Sequence, residues 1–417
     1  MAGTELKIRI NNLTTEGSRL YNELTIESAK DTNILVDNEG KEYTDLRSGL
    51  WNVGLGYHNE VTEKFAQQSA DLIKKGMFYL DNFSYKTSLF SEVATHLEAL
   101  VGNYYSDVQF VNSGSEGIEL ALKIANSFNQ KQPFKIAAFE ESYHGSFLGG
   151  FSISGMDAIS SQANNLTYSD TIFVKFPRTS EEAREVLDSV TKEANKLSAF
   201  VIEPVLSSSG VVFTDFAFMD ELISILHKND VLVIFDEVAT GFYRSGKAFY
   251  KDYLTNKPDV LVLSKQINNG LLPFGAVVFT DTVMQRLRKK PIEHYSTQNG
   301  NLLGALSAKL TLEYFEMNSG YLESNINETI HAIQDVLHAS DIKFRNLGLM
   351  FAIPLENWLE SIEITNRLRQ FGILVYPFEN NVDAGITIYP MLTSDVDKTR
   401  SDIKRLSKIL LRYRGVQ

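Results

Sequence analysis

Apolar residues fall into two rhythms along this chain. In one they follow without a break, as in Val231-Leu232-Val233-Ile234-Phe235, Val260-Leu261-Val262-Leu263 and residues 274–279. Such runs predict strands buried on both faces, as in a sheet covered by helices. Shorter strands are predicted over Asp107–Val111, 135–139, Thr171–Val174 and Ala199–Ile202. In the other rhythm apolar residues recur every three or four positions. That predicts helices over about 60–75, 87–100, 115–126 and 301–317, and an amphipathic last helix over about 396–412. Near the start, Asn33-Ile34-Leu35-Val36-Asp37 and Glu42-Tyr43-Thr44-Asp45-Leu46 flank Asn38-Glu39-Gly40-Lys41, a hairpin pattern. Strand and helix alternate through the middle of the chain, which predicts an α/β fold with a mainly parallel sheet. The C-terminal part mixes short strands with helices. It predicts a second, α+β domain that takes in the N-terminal hairpin.

Length and charge narrow the picture. The chain has 417 residues, enough for more than one core, and a formal net charge of -12 spread along its length. A scattered negative charge argues against nucleic acid or an anionic membrane as partner. No apolar run reaches the length of a membrane span. Residues 1–12 lack an apolar signal core, so the expected location is cytoplasmic. There is no cysteine. Disulfides, thiol nucleophiles and cysteine-based zinc sites are therefore excluded, and no metal is called for.

Four places carry chemistry, and each leaves the end of a predicted strand, where ligands of open α/β sheets sit. Asn112-Ser113-Gly114-Ser115-Glu116-Gly117 opens a helix and fits either a phosphate site or an ordinary N-cap. Glu141-Ser142-Tyr143-His144-Gly145 sets an aromatic ring beside a histidine, suited to stacking on a flat ligand. Asp236-Glu237 ends the most apolar strand and fits a metal, a protonated ring nitrogen or a helix cap. Ser264-Lys265 follows the next apolar strand, where desolvation would free the lysine amine as a nucleophile. Taken in order, these meet the needs of pyridoxal 5'-phosphate (PLP). Its phosphate needs a helix N-terminus, its ring an aromatic face, its nitrogen a carboxylate and its aldehyde a lysine.

These residues resemble the class III aminotransferases, PLP enzymes of fold type I. Asn112 to Leu122 (NSGSEGIELAL) is similar to the family's phosphate loop, with Gly114 and Ser115 in the binding positions. Tyr143 and His144 match its YHG element, and Glu203 lies in an Ile-Glu-Pro strand end. Asp236 to Lys247 (DEVATGFYRSGK) resembles the family's DEVQTGFGRTGK. The resemblance, which spans about residues 20–411, implies that Lys265 holds the cofactor as a Schiff base and that Asp236 pairs with the ring nitrogen. Tyr143 and Val238 would flank the ring. Thr297, in Ser296-Thr297-Gln298-Asn299-Gly300-Asn301, would reach the phosphate of a neighbouring subunit, making the protein a homodimer with a shared active site. The implied fold has a large domain with a seven-stranded sheet (55–303). A small α+β domain is built from both chain ends (1–54 and 304–417).

The implied reaction is a ping-pong transfer of an amino group from an amine or amino acid to a carbonyl acceptor. Lys265 would act as base and Asp236 as electrostatic partner. Two departures bear on the substrate. Members that hold a substrate carboxylate with an arginine place it after a G-L-x-V stretch or shortly before P-P-L. This chain has Tyr376 at the first place and Thr387 at the second. The substrate then lacks an α-carboxylate, or another arginine such as Arg47, Arg178 or Arg345 takes over. Trp51 lies in a segment resembling the pocket lining of amine-type members, and Tyr79, Phe83 and Tyr376 are further pocket candidates. An aminomutase, racemase or decarboxylase on the same fold is the alternative, and Gly17-Ser18-Arg19-Leu20-Tyr21 resembles the start of the semialdehyde aminomutases. A non-catalytic PLP-binding scaffold is the remote one.

Overall fold

The computed structural model describes residues 24–129, 131, 133–156 and 171–415. The first strands, β1 (Ile26–Asp31), β2 (Ile34–Asp37) and β3 (Glu42–Asp45), pair antiparallel in sequence order. Asp37 shapes the hairpin turn, its Oδ1 accepting from the N–H groups of Glu39 (3.0 Å) and Lys41 (2.9 Å). β1 was not predicted. Its sequence IESAKD lies largely exposed and so carries no apolar alternation. Gly17-Ser18-Arg19-Leu20-Tyr21 lies outside the described residues.

The main sheet holds β4 (Asp107–Val111), β5 (Ile136–Phe139), β6 (Thr171–Val174), β7 (Ala199–Ile202), β8 (Leu232–Asp236), β9 (Val260–Leu263) and β10 (Gly275–Phe279). Its order is β4-β10-β9-β8-β7-β5-β6. β10 pairs antiparallel with both neighbours, and the other pairs are parallel. This is the seven-stranded, mainly parallel sheet of the expected α/β fold. Every residue of β5, β7, β8, β9 and β10 is buried, hence the unbroken apolar runs. Alternate residues feed two cores. Val233, Phe235, Leu261 and Leu263 join one, whereas Leu232, Ile234, Val260 and Val262 join the other, with the helix Gly114–Phe128.

The C-terminal part adds β11 (Arg345–Leu347), β12 (Met350–Leu355), β13 (Ile373–Leu374), β14 (Tyr376–Glu379) and β15 (Ala384–Ile388). Four of these form an antiparallel sheet in the order β11-β12-β15-β14. β13 instead pairs parallel with β3, matching Ile373 to Thr44 and Leu374 to Asp45. The small α+β part is thus built from both ends of the chain. The join also carries the segment after β3 onto the carboxyl edge of the main sheet, where Leu55 N–H donates to Asn269 Oδ1 at 2.8 Å.

The aromatic packing under this edge is testable. Phe139, fully buried, packs its ring 4.9 Å from Phe176 and 5.0 Å from Phe200. Phe139→Ala should lower the free energy of unfolding by about 3–5 kcal/mol, read from denaturant midpoints.

Candidate active site

Parallel strands place their carboxyl ends on one edge of the sheet, and the four chemistry-bearing loops all leave from it. Lys265 follows β9 and opens the short helical turn Lys265–Asn268. Its backbone is left-handed, with φ 39°, which costs a side-chain-bearing residue ~1–2 kcal/mol. The surroundings hold it there. Ser264 Oγ donates to Phe274 O (2.8 Å), Asn268 Nδ2 to Ser307 Oγ (3.1 Å) and Asn269 Nδ2 to Gly56 O (3.0 Å). Lys265 Nζ lies 4.7 Å over the Trp51 ring. Burial pulls the Lys265 pKa below the usual lysine range, against the opposing pull of Asp236 and Glu203.

Those two carboxylates belong to one buried network. Asp236 ends β8 and is 6% exposed. Its Oδ2 is 2.9 Å from His144 Nδ1, and its Oδ1 accepts from Val238 N–H at 3.2 Å. His144, itself buried, is oriented from behind by its N–H, which donates to Ser154 Oγ at 2.8 Å. Glu203 follows β7. It accepts from Tyr143 N–H (3.1 Å) and Ser207 N–H (3.0 Å). Burial pushes the Glu203 carboxyl up to about 7, and Asp236 adds to that rise while His144 opposes it. A desolvated amine and two carboxyl groups thus share one dry corner.

The phosphate-loop candidates stand at the head of the 15-residue helix Gly114–Phe128. Ser113 caps it, its Oγ accepting from Glu116 N–H at 3.2 Å. Two close approaches show how tightly the loops fit. A Cβ on Gly114 would lie 2.8 Å from Val238 Cγ2, and one on Gly145, whose φ is 101°, 2.5 Å from Ser115 Oγ. Ser115 Oγ also accepts from Ser146 N–H at 3.3 Å. Gly114, Ser115, Tyr143, His144, Glu203, Asp236, Val238 and Lys265 are therefore one connected cluster.

The pocket candidates divide. The Trp51 ring, on a backbone at φ 63°, lies 4.8 Å from Tyr389 and 6.4 Å, edge-on, from Tyr376. Tyr79, Phe83 and Thr297 lie elsewhere within one chain, lining a surface hollow of about 460 Å³ with Tyr295. Of the three arginines, Arg178 Nη2 reaches both oxygens of Glu141 (3.1 and 2.9 Å) and Arg345 holds Asp383 (2.5 and 3.2 Å). Of the three, Arg47 approaches the Trp51–Tyr376 pair, its Cζ 5.1 Å over the Tyr376 ring.

Two residues without an expected role also belong to the site. Tyr389 is buried, its OH donating to Ser207 O at 2.9 Å. Arg244 is fully buried, with no carboxylate partner among the described residues. It donates to Pro390 O (2.5 Å) and Ser48 Oγ (3.1 Å), and burial lowers it to about 10. Arg244 ties together the segments carrying Trp51 and Tyr389. It lies inside the Asp236–Lys247 motif, but no sequence signal says what a buried guanidinium will bind.

The donor set suits PLP: a desolvated lysine, a buried carboxylate at hydrogen-bond distance from a histidine, and a helix N-terminus whose first-turn amides lack intrahelical partners. His144 Nε2, buried and unpartnered among the described residues, adds a polar atom at the same place. Among those residues no group of three or more His, Asp or Glu could hold a metal ion. No helix among them is long and apolar enough to cross a membrane. Fold and site together define a PLP-dependent enzyme of fold type I.

Comparison with known proteins narrows this. The family model "Aminotransferase class-III" matches residues 17–410, so the chain belongs to the class III aminotransferase family. It is a PLP-dependent aminotransferase. It is 29% identical over 394 residues to the acetylornithine aminotransferase of Streptococcus mutans, covering 93% of this chain and 97% of that one. It is 28% identical over 347 residues to an omega-aminotransferase of Caulobacter vibrioides, covering 76% and 77%. In fold it matches an amine transaminase from an uncultivated Pseudomonas species, solved with PLP bound (TM-score 0.87, 22% identity, 98% and 99% covered).

The raised pKa of Glu203 gives a stability test. A carboxyl raised from 4.5 to about 7 on folding makes the native state lose stability, relative to a neutral residue, as pH rises through that window. Glu203→Gln removes this loss but disturbs one of two accepted hydrogen bonds at every pH. The difference in Tm, variant minus wild type, should therefore be more favourable at pH 8 than at pH 5. A pH-independent difference would mean that Glu203 does not titrate there.

Proposed function

We propose that Lys265 is the catalytic amine of this aminotransferase and Asp236 its electrostatic partner. The observation that carries the reading is the placing of a desolvated lysine, on a strained backbone, between an aromatic ring and the Asp236–Glu203 corner. When bound, PLP supplies an aldehyde that captures amines and a ring that draws electrons from the neighbouring carbon. This chain's residues do the rest. With its pKa lowered by burial, the Lys265 amine gives up and takes back a proton more readily than an exposed lysine would. Asp236, oriented by His144 and Val238 N–H, would be the carboxylate that pairs with the ring nitrogen. The amides and Ser115 at the head of the helix Gly114–Phe128 would hold the phosphate. Tyr143 and Val238 would flank the ring.

On the substrate side, the places of both expected arginines fall together. Tyr376 and Thr387 are direct partners across β14 and β15. Neither supplies a guanidinium, which favours a substrate whose reacting carbon bears no carboxylate. Trp51, Tyr376 and Tyr389 give it an aromatic wall.

The partner reading is a homodimer that shares its sites. The hollow around Thr297 is rich in exposed aromatics, Phe83 at 80% and Tyr295 at 67%, more than a free surface usually displays. A second copy covering it would bring Thr297, Tyr79 and Phe83 to the neighbouring site. The pairing of β3 with β13 supports a small domain of residues 1–54 and 304–417 beside a large one of 55–303.

Visible absorbance of the protein loaded with PLP tests the first reading. Wild type should show a band that amines bleach. Lys265→Ala should lose it and lose turnover by about 10³-fold or more. A variant that keeps the band and turnover would remove Lys265 from its role. Sedimentation tests the second: active enzyme with the mass of a single chain, 46.9 kDa, would rule out a shared site.

A further inference from the structure

Both varieties of carboxylate-binding arginine would converge on one spot, where Tyr376 faces Thr387. Neither position carries a guanidinium, yet one stands there. It comes from Arg47, at the other end of the chain, brought over by the β3–β13 pairing. The way Arg47 is held leaves its working end free. Its N–H and Nε–H both donate to Asp45 Oδ1, each at 3.0 Å. The other Asp45 oxygen accepts from Gly49 N–H (2.9 Å) and Tyr57 OH (2.8 Å), so this fully buried carboxylate is saturated. Nη1 and Nη2 of Arg47 have no partner among the described residues, and the side chain is 25% exposed. An arginine aimed by a buried acid, with its terminal edge open, is built to take a planar two-oxygen anion. Arg178 and Arg345 are closed off by their own carboxylates and Arg244 is wholly buried.

We propose that Arg47 recognises the carboxylate of the substrate, held on Nη1 and Nη2 while the reacting carbon lies at Lys265. The inference rests on Lys265 being the catalytic amine. Lys265 lies over Trp51, Trp51 meets Tyr376 and Arg47 lies over Tyr376, so amine and guanidinium are linked through two aromatic rings rather than in direct contact. The substrate class is therefore an amino acid whose amine and carboxylate sit on different carbons, lying along the Trp51–Tyr376 wall. This agrees with a reacting carbon that bears no carboxylate of its own.

The test compares ω-amino acids with alkylamines of the same chain length. Each is reacted with PLP-loaded enzyme in a single half-reaction followed by absorbance, so that no acceptor carboxylate intervenes. Arg47→Gln should lower kcat/KM for the amino acids by about 10²-fold, mainly through KM, and leave the alkylamines within about twofold. Arg47→Lys should recover part of the loss. Because Arg47→Gln strips the buried Asp45 of its cation, the double variant Arg47→Gln/Asp45→Asn is measured beside it and should discriminate the same way. An equal fall for both series, or a wild type that does not prefer the amino acids, overturns the proposal while leaving transamination intact. A wild type whose absorbance responds to neither series overturns the role of Lys265, and this proposal with it.

Discussion

A lysine amine desolvated beside two carboxylates is the constraint on which the rest of this structure depends. Charges buried together cost too much unless some are neutral or paired. Here burial acts on both signs, drawing the Lys265 pKa down and driving Glu203 up. Asp236 is treated differently, with His144 against one oxygen and Val238 N–H on the other. The corner thus separates three ionisable groups by what surrounds each. A desolvated amine and a buried carboxyl side by side are what electron-withdrawing cofactor chemistry asks of a protein.

The backbone around that corner is held under strain. Lys265, Trp51, Glu141, Phe242 and Tyr243 all carry φ between 39° and 69° without being glycine. Such conformations persist where surrounding contacts outnumber the alternatives. Arg244 is one source of those contacts, reaching from the loop after β8 to Ser48 and Pro390. A guanidinium buried without a carboxylate is itself unfavourable. Its Nη1 and Nη2 meet the acceptors Pro390 O, Ser48 Oγ and Gln266 Oε1, which offset part of that cost, while Nε stays unpartnered among the described residues.

The second organising feature is the meeting of the chain's two ends. Without β13 on β3, the segment from Asp45 to Trp51 would have no fixed relation to β14 and β15. That pairing builds the aromatic wall from Trp51, Tyr376 and Tyr389, residues more than 300 positions apart at the extremes. It also carries a guanidinium to a place where the local sequence holds only a tyrosine and a threonine. Phe83 and Tyr295 stand exposed around a separate hollow that shares no lining residue with this wall.

Local chemistry made much of this legible beforehand. Strands buried on both faces write themselves as unbroken apolar runs, so β7 and β9 appear at their true bounds. Asp236 and Lys265 stand out because each comes at the end of such a run, and Gly114 because it follows a shorter strand; position at a strand end is a local property. β1 was invisible because an exposed strand needs no apolar pattern. Tyr389 and Arg244 were visible as letters but not as parts of a site, since their partners lie far away in sequence. The same holds for the choice among Arg47, Arg178 and Arg345, which are alike as residues and differ only in which carboxylate each meets. By itself, then, the sequence determined the sheet, the loops that leave it and the chemistry of the cofactor, because those depend on neighbours along the chain. Tertiary structure alone decided which arginine stays free and which aromatics face the lysine, because those depend on contacts between its two ends.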